Sequence, residues 1–158
     1  MAKDSSPARH FILAFVFAVV GYFSFYKLDQ HLRLRRGPWE VTFAREASGA
    51  PSITINEPKL GISNVKVVLG GETVPPDGLP ATVRFDRPLL AIPFGELAFH
   101  DVTYLPGTIV LNAFGHGIQL IPRALTLDKD EVTWQSGQTY QLEASNKFPF
   151  PLHKDNPK

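Results

Sequence analysis

The chain has no cysteine. That excludes disulfides, thiolate nucleophiles, Cys-ligated zinc and iron–sulfur clusters, and with them a lipoprotein anchor, which needs a cysteine to carry its lipid. The compartment stays open, because a domain of this size can bury enough apolar surface without staples. Nucleic-acid binding has little to stand on. The net charge is only +1, and the basic side chains are unevenly placed. Residues 1–38 hold six basic against two acidic side chains, and residues 39–158 hold ten against thirteen. A mildly acidic body presents no broad basic footprint, so no nucleic-acid partner is expected.

Several catalytic signatures are also missing. There is no Gly-x-Ser-x-Gly elbow. Gly70-Gly71 is followed by neither Lys-Ser/Thr nor a helix, so it is no phosphate loop. Gly115-His116-Gly117 lacks the strand–turn–helix unit of a dinucleotide site. No Asn-x-Ser/Thr acceptor occurs. Asp128, Asp130 and Glu131 could form a turn that holds calcium loosely, but their spacing is not that of an EF-hand loop, and a solvated turn is the simpler reading. No cofactor, no metal and no catalytic residue is assigned.

What the chain does have is an apolar run. The sixteen residues from Phe11 to Tyr26 carry no charge. As a helix they extend roughly 24 Å, a little short of a hydrocarbon core of about 30 Å. Arg9 and Lys27 can lift their charges to the headgroups from either side. Tyr22, Phe23, Phe25 and Tyr26 cluster at one end, as an interfacial belt does. A cleaved signal peptide fits less well. Its best cut site, near Val19-Val20-Gly21, leaves an apolar core of only eight residues, and "YFSFYKL" beyond it is bulky. A buried core helix is the third alternative.

The helix is expected to outlast the bilayer, from about Pro7 to Arg36, with Ser6-Pro7 as cap and first position and Gly37-Pro38 as the stop. Asp29 and Arg33 stand at i,i+4, and Arg33, Arg35 and Arg36 suit the negative end of the helix dipole. The membrane-interface residues are therefore Arg9, Tyr22, Tyr26, Lys27, Arg33, Arg35 and Arg36. Ala14 and Ala18, four apart, offer a small-residue surface to another span, with Gly21 nearby. The arginines after the span, read literally, place the following domain in the cytoplasm. A short N-terminal tail before a single signal-anchor helix argues for the reverse, an exported domain, periplasmic if the membrane is a bacterial inner membrane.

After Pro38 the period changes from helical to two. "WEVTF", "SITIN", "NVKVVL", "TVRF", "TIVLNAF", "GIQLI", "ALTL", "EVTW" and "TYQLE" alternate apolar with polar residues. Turn signals separate them, among them Gly70-Gly71, Pro75-Pro76-Asp77-Gly78, Pro106-Gly107 and Ser136-Gly137. Nine or ten short strands over residues 39–145 predict an all-β sandwich, immunoglobulin-like or jelly-roll, with the strand order open. Trp39, Phe85, Phe94, Phe99, Phe114 and Trp134 are the expected core aromatics. Glu72–Pro80 reads as an exposed loop. The Pro-rich tail 146–158 reads as extended, with Phe148 and Phe150 able to pin it to a sheet or a partner.

Polar candidates concentrate in one predicted hairpin. If Pro106-Gly107 turns it, Glu96–Tyr104 pairs with Thr108–Phe114, which puts His100 near Asn112 or Ala113 and Glu96 near His116. His100 and His116 then lie about four rungs apart, roughly 13 Å, too far to share an ion. Structural roles for Glu96, His100, Asn112 and His116 are the simpler reading. The functional expectation is a membrane-tethered, non-catalytic accessory or assembly subunit whose partners are the lipid bilayer and another membrane protein. A carbohydrate or cell-wall binding module is the alternative, and a hydrolase or metal enzyme using Glu96, His100 and His116 comes third.

Overall fold

A computed structural model describes residues 7–147. The segment before Pro7, with the expected cap Ser6, and the tail carrying Phe148 and Phe150 lie outside the described residues. The chain divides into two units between Arg35 and Arg36. The first is a single helix, α1, Pro7–Leu34. Its 28 residues give a rod of about 42 Å. Apolar side chains cover it on all sides, and from Phe11 to Tyr26 nearly every one is exposed. No part of its apolar window is buried against the described residues. By length and composition the helix can cross a membrane. Tyr22 stacks on Tyr26, with ring centroids 6.4 Å apart, and Gln30 Nε2 donates to the Tyr26 hydroxyl.

The second unit is a sandwich of two five-stranded sheets. The strands are β1 Glu40–Arg45, β2 Pro51–Glu57, β3 Ile62–Leu69, β4 Ala81–Arg84, β5 Glu96–His100, β6 Ile109–Ala113, β7 His116–Ile121, β8 Ala124–Leu127, β9 Asp130–Val132 and β10 Thr139–Leu142. One sheet has the order β10-β3-β2-β1-β4 and the other β5-β6-β7-β8-β9. All pairings are antiparallel except β10 with β3. The two layers and the ten strands match the alternation in the sequence. The strand order, which the sequence leaves open, differs between the sheets: β1, β2 and β3 form a meander with β4 returning to lie beside β1, the 4-1-2-3 order of a Greek key, whereas the second sheet is a simple meander.

The alternation decides which face is buried. Val41 and Phe43 on β1, Ile53 and Ile55 on β2, and Val65, Val67 and Leu69 on β3 face inward. Ile109 and Leu111 on β6, Ile118 and Leu120 on β7 and Leu125 on β8 meet them from the other sheet. Thr42 faces outward and shares a hydrogen bond with Thr82 across β1 and β4. Aromatic pairs lock the layers together. Phe43 meets Phe94 edge-on at 5.0 Å, and Trp39 lies against Trp134 at 5.3 Å. Val74 is buried although it sits in the Glu72–Pro80 loop. The edge strands β4, β5, β9 and β10 are short, which limits the backbone they leave open to pairing.

Phe99 departs from expectation. It is 53% exposed instead of belonging to the core. The cause is a bulge in β5, where Leu97 pairs with Leu111 but Phe99 pairs with Val110. The extra residue, Ala98, flips the alternation, so Phe99 turns outward and His100 turns in.

Candidate functional site

The predicted hairpin exists, but its register differs. Glu96 pairs with Asn112 and His100 with Ile109. His100 is therefore not beside Asn112 or Ala113, and Glu96 is not opposite His116. The expected register assumed a tight turn at Pro106-Gly107. Instead, residues 101–108 form a wide loop closed by Asp101 N–H donating to Thr108 O and fastened internally by Thr103 N–H donating to Asp101 Oδ1. Gly107 is packed so closely against the backbone carbonyls of Asp101 and Tyr104 that a Cβ there would overlap both. The Trp39 indole then anchors the loop, with Nε1 donating to Gly107 O at 2.7 Å.

The four polar candidates are thus distributed, not gathered. Glu96 and Asn112 share the outer face of their sheet. His100 is on the inner face, its ring edge-on to buried Phe85 at 5.2 Å. His116 is also on the inner face, paired with Ala113, four residues along β6 from His100's partner Ile109, or roughly 13 Å. Among the described residues, no group of three or more His, Asp or Glu side chains is placed to hold a metal ion.

His116 has a partner of its own. It is fully buried, with Nδ1 3.0 Å from Asp128 Oδ2. The second carboxylate oxygen of Asp128 accepts from Gly117 N–H at 3.0 Å, and Asp128 N–H donates to Gly117 O. Two turns make this contact possible. Phe114 and Gly115 join β6 to β7 with φ of 53° and 84°, the positive values a two-residue hairpin loop of the I′ kind requires. Asp128, at φ 56°, leads β8 into its turn. Asp128 is therefore not a solvated turn residue. The sequence carried a signal for it. Counting back from a β7–β8 turn at Pro122-Arg123 places residue 128 opposite 117, and the observed pairing of Ile118 with Leu127 follows that count.

An aspartate that orients a histidine is half of a general-base arrangement. Here the other half has no access. Among the described residues, the enclosed His116 Nε2 meets no hydrogen-bond partner, and so no hydroxyl nucleophile. The pair fastens one hairpin to the next at the end of the sandwich far from Trp39. Two open clefts lie near that end. One, about 470 Å³, is bordered by Leu127, Asp128, Asp130, Tyr140, Gln141 and Lys147. The other, about 750 Å³, is bordered by Glu46, Ser48, Lys66, Glu72 and Thr139. Each has charges of both signs; the ion pair Lys66–Glu46 lies within the second, and Lys147–Glu72 joins the border of one to that of the other.

A second buried acid also escaped the sequence reading. Glu57 is 1% exposed and caps a single 3₁₀ turn, Pro58–Leu60, by accepting from Leu60 N–H. Burial pushes its carboxyl above the ordinary range, against the pull of that hydrogen bond and of Lys59. Glu57-Pro58 is itself a cap-and-first-position pair, so the signal was there to find. The membrane-interface candidates Arg9, Tyr22, Tyr26 and Lys27 are exposed on α1, and Arg35 and Arg36 are exposed just after it. Arg33 lies in the last turn of α1.

Comparison of the chain with protein-family models, with curated proteins and with solved structures finds no match.

Two outcomes test these assignments. Asp128→Ala leaves His116 Nδ1 and Gly117 N–H buried without partners, and is expected to cost about 2–3 kcal/mol of unfolding free energy, seen as a lowered chemical denaturation midpoint followed by tryptophan fluorescence. An unchanged midpoint removes the structural role. For Glu57, a carboxyl raised by burial contributes stability that is fully present below its unfolded pKa and is lost as pH rises through its folded pKa. Glu57→Gln keeps the cap acceptor without the charge. It should therefore gain stability relative to the parent as pH goes from about 4 to 7. A pH-independent difference between the two proteins contradicts that cause.

Proposed function

We propose that the protein is a single-pass membrane-anchored sandwich that acts as a non-catalytic accessory or assembly subunit of a membrane protein complex. One observation carries the reading. A helix apolar on all sides, long enough to cross a bilayer, ends at Leu34, and Gly37 is already buried in the domain. Such a helix needs lipid or another span around it. The two arginines between it and the domain leave almost no slack, so the domain works only on what lies at the membrane surface.

The chemistry of the domain supports the non-catalytic part. Its candidate acids and histidines are either buried in structural pairs or separated across two faces. The small-residue surface of Ala14, Ala18 and Gly21 supplies a contact surface for another span, while the short edge strands leave less backbone for pairing. Of the two routes, the span is the more capable, because every face of α1 is open. No arrangement among the described residues favours carbohydrate or cell-wall binding, and the proposed hydrolase residues Glu96, His100 and His116 do not converge.

The full-length protein, solubilised in mild detergent and isolated by affinity tag, is expected to bring a second membrane protein with it. It should lose that companion when residues 7–34 are exchanged for an unrelated apolar span. Association that survives the exchange assigns partner recognition to the sandwich instead, and no companion at all defeats the subunit reading. We also place the domain on the exported side, in keeping with a short N-terminal tail before a single anchor. A reporter fused at the C-terminus and active only outside the cytoplasm should give signal. Strong signal from a cytoplasm-only reporter reverses the orientation.

A further inference from the structure

The two ends of the sandwich differ in surface chemistry. One end is defined by where the chain joins it. Gly37 packs against Glu57 and Lys59, so a Cβ there would lie 2.7 Å from Glu57 Oε1, and the Pro58–Leu60 turn therefore belongs to this end. Trp39 Nε1 holds Gly107 O, so loop 101–108 belongs to it too. In the described part of the domain, the exposed large apolar side chains are Leu60, Leu90, Phe99, Val102 and Tyr104. Four of these five belong to that end or to the strand leading into it. Leu60 is in the turn, Val102 and Tyr104 are in the loop, and Phe99 is the penultimate residue of β5. Charge is found at both ends, with Glu40, Arg84, Asp86 and Lys59 near the tether and Glu46, Glu72, Lys129 and Lys147 on the opposite turns and clefts, so it is the exposed apolar side chains that distinguish the ends. Scattered exposed apolar residues need no explanation; their segregation to one end does.

We propose that loop 101–108, through Val102 and Tyr104, seats in the headgroup interface of the bilayer that α1 spans, with Leu60 and Phe99 at its margin. The inference rests on reading α1 as a membrane span. Chain reach brings the surfaces together. The apolar span closes at Leu32, and five residues on, Gly37 is inside the domain. Even fully extended, that tether is at most about 18 Å. A tether this short keeps the end at which the chain enters the domain within about 18 Å of the close of the span, and loop 101–108 belongs to that end. The side chains suit that depth. Tyr104, 61% exposed, offers an apolar ring and a hydroxyl, the combination favoured at headgroup level. Arg35 and Arg36, exposed in the tether, can meet lipid phosphates while the loop buries its apolar atoms.

The absence of native cysteine makes the test clean. Single Tyr104→Cys, Val102→Cys, Ser48→Cys and Phe17→Cys variants of the full chain are labelled with a fluorophore and reconstituted into phosphatidylcholine–phosphatidylglycerol vesicles. Each is then quenched in turn by a nitroxide-bearing lipid and by aqueous iodide. The ratio of lipid to aqueous quenching should be several-fold higher for Tyr104→Cys and Val102→Cys than for Ser48→Cys at the opposite end. Equal ratios at these three positions, with Phe17→Cys lipid-quenched, overturn the loop contact and leave the anchor intact. A Phe17→Cys label quenched only by iodide defeats the anchor reading and this inference together. Tyr104→Cys shielded from both quenchers points to a second copy of the chain on the loop, and likewise overturns the lipid contact.

Discussion

The sandwich is organised around Trp39. Its side chain is 1% exposed, its indole N–H is held by the carbonyl of Gly107, its ring lies on Trp134, and its own carbonyl accepts from Phe85 N–H. One residue thus ties together the start of β1, the end of β4, the loop between β5 and β6, and the segment between β9 and β10. Burying a side chain of this size is worth about 4–6 kcal/mol as an upper estimate, and the buried N–H must be paired for that gain to survive. It is also the first residue after Gly37-Pro38. The core is therefore closed at the point where the chain arrives from α1, and the tether cannot lengthen without unpacking Trp39.

The fold was legible because β-sheets write their burial pattern with a period of two. Every alternating stretch became a strand, and the helix stop at Gly37-Pro38 falls within three residues of the observed end at Leu34. What failed was register within one hairpin, and it failed for a local reason. A bulge at Ala98 costs nothing visible in composition, yet it exchanged the faces of Phe99 and His100. Loop 101–108 is held by backbone carbonyls and by the indole of a residue 68 positions away. No nearest-neighbour rule contains that contact. The Asp128–His116 pair was within reach of counting, because its hairpin has a tight turn and no bulge. The acids in "LDKDEV" look like a solvated run until the register is applied.

The buried polar groups belong to the architecture. His116, Asp128 and Glu57 each sit where a turn leaves backbone N–H groups near the core, and two carboxylates answer those donors directly. A sandwich of ten short strands has many such turns, and a chain without cysteine has no covalent staple for them. Hydrogen-bonded acids at turn positions are the substitute. They cost desolvation, as the raised Glu57 carboxyl records, and they return a fixed turn geometry.

Fixed turns matter because the tether is short. A domain on a long linker can sample many orientations, and the placement of its loops then counts for little. With two residues between helix and core, the anchoring proposed above would hold the end at which the chain enters the sandwich. Side chains that would be neutral elsewhere acquire a role from that anchoring. On that proposal the exposed Tyr104 is the side chain placed to meet the headgroups. The division of labour between the ends then follows from where Trp39 closes the core.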